Sequence, residues 1–126
     1  MKSNYHFKFE DLLVYQKAMD FGEIVDLLVK DFPNHELYAL SSQFRRAADS
    51  IALNIAEVYP GSDAQFVKHI NHSIYSANEC VSCSTKARRR FYINFEKDEE
   101  IRKLIAELTK MMSSLRRKIL ERNKRN

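Results

Sequence analysis

Two cysteines and two histidines in the middle of the amino-acid sequence have the residue types of a metal site. Cys80 and Cys83 form a C-x-x-C pair, and His69 and His72 share one side of the same predicted helix. From residue 69 to residue 83 a helix rises roughly 21 Å at about 1.5 Å per residue. The ligands of one zinc ion must lie within a few ångströms of it. A metal site within one chain is therefore excluded, and we predict no metal ligand.

The cysteine pair alone leaves two interpretations open. In thioredoxin-like folds a redox C-x-x-C lies at a strand-to-helix junction, whereas Cys80 and Cys83 fall in the middle of a predicted helix. Cysteine in a helical bundle commonly packs as a small apolar side chain. We favour packing, and an intersubunit metal site or a redox role is the alternative.

A row of polar side chains follows one side of the predicted second helix. At about 100° per residue, five positions fall within a sector roughly 80° wide. These positions are Gln43, Arg46, Ser50, Asn54 and Glu57. Acid–base catalysis needs a titratable group in a cleft with a shifted pKa, which spacing on one helix does not establish. We interpret the row as a polar ladder that bridges helices or subunits, and we predict no catalytic residue.

Two basic clusters have the residue types that contact phosphate groups. One is a run of three arginines at 88–90, and the other lies in residues 116–126, which hold six Lys/Arg against one Asp/Glu. Clustered cations attract nucleic acid, although cations at the end of a helix also complement its dipole. The candidates for nucleic-acid contact are Arg88, Arg89, Arg90, Arg116, Arg117, Lys118, Arg122, Lys124 and Arg125.

Four amphipathic helices must position these residues. Apolar residues spaced by three and four predict helices over about residues 11–31, 35–59, 63–92 and 97–122. Pro33 and Pro60 mark two of the connections, and Ser62 begins a capping box. Because short connections make neighbouring helices antiparallel, we predict an all-α, up-down-up-down four-helix bundle.

The apolar pattern also predicts which side chains face the core. Leu37 and Phe91 are predicted to point inward, and the inward stripe of the fourth helix is Ile101, Leu104, Leu108, Met111, Leu115 and Ile119. Asp98, Glu99 and Glu100 fall at the positive N-terminal end of the fourth helix, where carboxylates complement the helix dipole. We therefore expect these three acids to stabilise the start of this helix.

The second helix has more apolar residues than one buried face requires. Ala52, Leu53 and Ala56 lie away from its main apolar stripe. We interpret them as candidate oligomer-interface residues, covered by another subunit. The alternative is that Leu53 is a single exposed apolar residue, which is common.

The whole chain is predicted to be one domain. This bundle domain covers residues 1–126, with a short N-terminal extension over 1–9 and a basic C-terminal end over 116–126. Two separated glycines are too few for a phosphate-binding loop, so we predict no nucleotide cofactor. No run approaches ~18 apolar residues, and residues 1–10 lack the apolar core of a signal peptide. We expect a soluble, cytoplasmic protein with no membrane contact.

A family resemblance is carried by residues 9–60. The matching segments are Phe9-x-x-Leu12-x-Val14-Tyr15-Gln16-Lys17-Ala18, Phe32-Pro33, and Leu40-x-Ser42-Gln43-x-Arg45-Arg46-Ala47-x-x-Ser50-Ile51-x-x-Asn54-Ile55-Ala56-Glu57. This pattern resembles the four-helix-bundle proteins encoded in 23S rRNA intervening sequences. The chain departs from the family at Val58 and Tyr75, where glycine is usual.

The resemblance implies a left-handed four-helix bundle that associates into a ring, a pentamer in known relatives. Similar proteins include the accessory variability determinants of diversity-generating retroelements, which are basic pentamers that bind nucleic acid and a reverse transcriptase. The family has no established catalytic residue, so the resemblance supplies none.

Two hypotheses for function follow. The first is a non-enzymatic homo-oligomer that binds RNA or DNA without base specificity through its basic clusters. The alternative is a protein-interaction scaffold for a partner such as a polymerase, without direct binding of nucleic acid. An enzyme is a third and weaker hypothesis, because the sequence contains no clear nucleophile–base, metal or phosphate motif.

Overall fold

Four α-helices make up the body of the chain. A computed structural model describes residues 2–58 and 61–125, apart from the side chain of Arg125. The helices are α1 (Leu13–Val29), α2 (Leu40–Ala56), α3 (Asp63–Arg89) and α4 (Phe95–Arg125). Short 3-10 helices at Lys8–Asp11 and Asn34–Glu36 precede α1 and α2. No β-strand occurs within the described residues, so the predicted all-α four-helix bundle is confirmed.

Side-chain contacts show how consecutive helices run. Asp98 near the start of α4 bonds to Ser84 near the end of α3, whereas Arg122 near the end of α4 bonds to Asp63 at the start of α3. Contacts between α1 and α2, and between α2 and α3, follow the same reversed order. Consecutive helices are therefore antiparallel. The left-handed sense of the bundle stays a prediction.

The core lies between the four helices and draws large apolar side chains from each of them. The fully buried ones are Phe21, Val25, Phe44, Ile51, Ile55, Ile70, Ile101 and Met112. Burying such a side chain contributes about 1.5–3 kcal/mol relative to leaving it in water.

Both cysteines belong to this core. Cys80 and Cys83 are free thiols and fully buried. Burial raises the pKa of Cys83 to about 11, and it raises the pKa of Cys80 further. The thiols are therefore protonated at neutral pH and fill space in the core.

The start of α2 differs from the prediction. The helix begins at Leu40 instead of near residue 35, because Asn34–Glu36 form a 3-10 turn that brings the Glu36 carboxylate inward to accept the Leu40 N–H. Leu37 is therefore exposed instead of buried. The predicted end of this helix at Tyr59 and Pro60 lies outside the described residues.

The apolar stripe of α4 matches the prediction in part, because Ile101, Leu108 and Ile119 are buried as predicted. The residues that α4 buries in the core include Ile105 and Met112, whereas Leu104, Met111 and Leu115 are only half-buried. Both sets recur at helical spacing, and the positions of α1 and α3 decide which set is covered. The half-buried set turns towards α1, which packs less closely on α4 than on α2.

The turn that ends α3 explains why Phe91 is not in the core. Phe91 donates its N–H to Arg88 O at 3.0 Å, and Tyr92 donates its N–H to Ala87 O at 2.9 Å. These two bonds form a Schellman motif, whose residue of positive φ is usually glycine. Phe91 occupies that position with φ 64°, and its side chain is 93% exposed.

The described part of the chain contains no helix that is both long and apolar enough to span a membrane.

Candidate nucleic-acid interface

Arg90 does not point freely into solvent, because it is bound to a carboxylate from another part of the chain. Its Nη1 donates to Glu36 Oε2 at 2.7 Å, and the Tyr92 hydroxyl donates to the same oxygen at 2.8 Å. Glu36 is buried, and the hydrogen bond from Tyr92 is the largest cause that holds its pKa below the usual 4.5. The Leu40 N–H and Arg90 lower this pKa further, against the opposing effect of burial.

Arg88 lies beside a second buried carboxylate, Asp98. Asp98 is fully buried at the start of α4, and Ser84 donates to its Oδ1 at 2.7 Å. Arg102 Nε donates to Asp98 Oδ2 at 3.0 Å, and Arg88 Nε lies 3.5 Å from the same oxygen. The carboxylate therefore links the end of α3 to the start of α4.

The run of three arginines at 88–90, here called the α3 arginine cluster, thus has one unengaged member. Arg89 is exposed and makes no hydrogen bond or ion pair within the described part of the chain. The three side chains do not converge on one surface. Of the α3 arginine cluster, Arg89 therefore remains the candidate for phosphate contact.

The cations of the basic C-terminal end also fall into two groups, those bound to α3 and those without a polar partner. Arg116 Nη1 donates to Asn71 Oδ1 at 2.6 Å, and Arg122 pairs with Asp63, so both attach α4 to α3. Arg117, Lys118 and Lys124 are exposed, and none of the three has a polar partner among the described residues. The side chain of Arg125 lies outside the described residues.

Two of these free cations belong to a longer alignment on α4. Lys103, Lys110, Arg117 and Lys124 recur every seven residues and are all exposed, without an ion pair or hydrogen bond in residues 2–58 and 61–125. A seven-residue step returns to nearly the same side of a helix, with a drift of about 20°. We call these four residues the cationic row, which extends roughly 31 Å along the helix.

The prediction missed Lys103 and Lys110 because it counted cations that are close in sequence. The signal that identifies them is the seven-residue spacing of the four cations, which are separated in sequence by apolar, polar and acidic residues. The exposed residues Glu107 and Glu121 lie three or four positions from members of the row, but neither carboxylate forms an ion pair with it among the described residues.

The polar ladder of α2 lies against α3 and lines a shallow groove, here called the α2/α3 groove. Asn54 Nδ2 donates to Ser50 O at 2.9 Å and Oγ at 3.0 Å, and the Ser76 hydroxyl donates to Ser50 Oγ at 2.9 Å. His69 Nδ1 lies 3.3 Å from Asn54 Oδ1 and 3.5 Å from Glu57 Oε2. Ser50 and Asn54 therefore connect the two helices.

The groove has a volume of about 440 Å³ beside these contacts. Its lining residues are Ser50, Asn54, Lys68, His69, His72, Tyr75, Ser76 and Glu79. A smaller polar hollow of about 380 Å³ continues it past Gln43 and Arg46. Within the described residues, no three His, Cys, Asp or Glu side chains are placed to hold a metal ion.

Several side chains at this face lack partners in one chain. Arg46 and Glu79 are exposed without a polar contact among the described residues, and Leu53 and Tyr75 are 60% and 64% exposed. Ala56 is half-buried beside them. The prediction that Ala52 contacts another subunit is wrong, because Ala52 is buried in the chain's own core.

The fold and these surfaces define an all-α four-helix-bundle protein with free polar groups on its α2/α3 face and free cations along α4. The chain belongs to the 23S rRNA-intervening sequence protein family, whose family model matches residues 10–114. The predicted family is therefore confirmed. A similar solved structure is a protein of unknown function from the S23 ribosomal protein family of Bacteroides thetaiotaomicron. It is 27% identical, covers 88% of this chain and 99% of that one, and gives a TM-score of 0.78. No curated protein matches the chain.

Proposed function

We propose that this protein is a non-enzymatic, cytoplasmic homo-oligomer that binds the phosphate backbone of nucleic acid. The observation that carries the proposal is the cationic row, Lys103, Lys110, Arg117 and Lys124, whose side chains are exposed and unpaired within the described residues. Cations that already neutralise carboxylates have little charge left for a ligand, whereas these four retain theirs.

Phosphate binding by such a row is electrostatic and does not read base sequence. Successive cations are about 10.5 Å apart along α4, so the row meets a backbone at separate phosphates. Each neutralised phosphate releases condensed counterions, and four contacts would give a slope of log K against log salt of about −3.6 per chain. Lys118 and Arg89 are further exposed cations that add to the attraction.

Self-association is assigned to the α2/α3 groove. An exposed aromatic side chain, an apolar neighbour and an unpaired arginine are typical of protein interfaces, and Tyr75, Leu53 and Arg46 supply them. Glu79 supplies a charge opposite to that of Arg46, so a second copy can pair with both. The family resemblance favours a pentamer. In a ring each copy presents two different surfaces to its neighbours, and α4 contributes no residue to the one that the groove forms.

Fluorescence anisotropy with a labelled nucleic acid tests the binding. We expect the Lys110→Gln/Arg117→Gln variant to bind at least tenfold more weakly at about 50 mM salt, with a salt slope smaller by about 1.8. The matched control is Lys2→Gln/Lys8→Gln, which removes the same charge from two exposed lysines of the N-terminal part of the chain that have no ion pair among the described residues. Equal losses in both variants, or no binding by the wild type at low salt to either RNA or DNA, would overturn the proposal.

Sedimentation velocity tests the self-association. We expect a multimer for the wild type and a folded monomer for Leu53→Glu/Tyr75→Glu, because two carboxylates would be buried in the interface. Tyr38→Glu is the control, since Tyr38 is exposed in the connection before α2. A monomeric wild type, or a double variant that remains a multimer, contradicts the assignment.

A further inference from the structure

The α1/α4 seam is the line where the first and last helices of the bundle meet. Two shallow hollows follow one another along it. One of about 250 Å³ is lined by α1 residues 17–24 and α4 residues 104–108, and one of about 420 Å³ by residues 12–14 and 110–118. Neither contributes to the α2/α3 groove. The seam is thus a surface separate from that groove.

The floor of the seam is apolar. Leu13 and Ile24 on α1 are 57% and 40% exposed, and Leu104, Met111 and Leu115 of α4 are half-buried opposite them. From Leu13 to Ile24 the seam extends roughly 16 Å, which is about three turns of an α-helix. An apolar groove of this length suits one face of an amphipathic helix, whose side chains at i, i+3, i+4 and i+7 enter it.

The charges at the rim differ between the two hollows. Lys110 and Lys118 line the larger hollow, both are exposed, and no carboxylate lines it. The smaller hollow has Lys17 together with Asp20 and Glu107, so its rim is mixed. A ligand that fits both hollows therefore needs carboxylates at the end that lies over Lys110 and Lys118.

We propose that the α1/α4 seam binds an amphipathic helix of a partner protein that carries carboxylates at one end, over Lys110 and Lys118. The inference does not rest on the proposed nucleic-acid binding, because the apolar floor contributes to the affinity independently of any phosphate contact. Lys110 belongs both to the α1/α4 seam and to the cationic row that is proposed to bind nucleic acid. A docked helix would therefore remove one phosphate contact from the row.

A designed peptide tests the seam without nucleic acid. The probe is a fluorescein-labelled helical peptide of about five turns. It has leucines at positions i, i+3, i+4 and i+7 and glutamates beside them at one end. A second peptide has lysines in place of the glutamates. With the full chain we expect micromolar affinity for the glutamate peptide and at least tenfold weaker binding of the lysine peptide.

Charge reversal on the protein gives the decisive measurement. The Lys110→Glu/Lys118→Glu variant changes only exposed side chains, so its fold is expected to be unaffected. We expect this variant to bind the lysine peptide more tightly than the glutamate peptide, and Ile24→Ser to weaken both. Leu53→Ser, on the α2/α3 face, is the control that leaves both affinities unchanged.

Two outcomes would overturn the proposal. If the variant keeps the wild-type preference, the peptide binds elsewhere or through general apolar adhesion. If Ile24→Ser converts a wild-type multimer into smaller species in sedimentation velocity, the seam is a contact between copies of this chain.

Discussion

The α3 arginine cluster and the cationic row contain the same kinds of side chain, yet only one of them retains its charge for a ligand. Arg88 and Arg90 meet the buried carboxylates Asp98 and Glu36, which other elements bring to the end of α3. The row faces solvent along α4 and meets no carboxylate within the described residues. The density of cations in a sequence therefore does not measure a binding surface, because packing decides which charges are neutralised.

The largest expected effect is the loss of Asp98. Asp98→Ala removes the acceptor of Ser84 and the partner of Arg102, and leaves a buried hydroxyl without a bond. We expect the free energy of unfolding to fall by about 3 kcal/mol, as urea unfolding followed by circular dichroism would measure. Glu99→Ala, at an exposed neighbour, should change it by less than about 0.5 kcal/mol. Equal effects of the two variants would show that the buried carboxylate is not structural.

A smaller and pH-dependent effect is expected for Glu36→Gln. The variant loses the charge that accepts bonds from Tyr92 and Arg90, which is worth about 1.5 kcal/mol near neutral pH. The pKa of Glu36 is lower in the folded chain than in the unfolded chain, so its contribution is full above the usual value of 4.5. It is lost as the pH falls through the depressed folded value. Unfolding midpoints of wild type and variant should converge in acid, and a difference independent of pH would contradict this assignment.

Phe91→Gly tests the turn that directs Arg90 and Tyr92 towards Glu36. A non-glycine residue at φ 64° carries a steric cost of about 1 kcal/mol, which glycine relieves. Because the phenyl ring is exposed, its removal loses little packing. We expect a modest gain in thermal stability, by calorimetry, with Phe91→Ala as the control that keeps the strain. A loss of stability in the glycine variant would mean that the ring makes an essential contact.

The smallest expected effect on stability is that of the cationic row. The Lys110→Gln/Arg117→Gln variant breaks no ion pair among the described residues, so its free energy of unfolding should stay within about 0.5 kcal/mol of the wild type. Urea unfolding of this variant and of Arg90→Gln provides the direct contrast. If the row variant is the less stable of the two, the row has a structural role.

The number, order and type of the helices could be predicted from the sequence, because the apolar spacing and the turn residues agree along the chain. The burial of Ile105 in α4 could not be predicted, since Leu104 and Ile105 are both apolar and only the neighbouring helices select Ile105 for the core. The predicted start of α2 was too early, because helical spacing did not reveal the 3-10 turn at Asn34–Glu36, after which Glu36 accepts the Leu40 N–H.

The candidate site was predictable where it depends on periodicity. The polar ladder followed from the helical spacing of residues such as Ser50 and Asn54, and the structure places both against α3. The ion pairs of Arg88 and Arg90 could not be predicted, because their carboxylate partners lie ten or more residues away in sequence. Such pairings depend on tertiary contacts, which one sequence does not specify.

The open α1/α4 seam also bears on how the bundle moves. α4 packs mainly on α3, and α1 packs mainly on α2. The molecule therefore consists of two helical hairpins that meet along the interface between α2 and α3. Parting of the seam separates the hairpins at one edge and leaves the Ser50 and Ser76 contact intact. Amide hydrogen exchange along α1 and α4 would then proceed by local opening, while α2 and α3 exchange only through global unfolding.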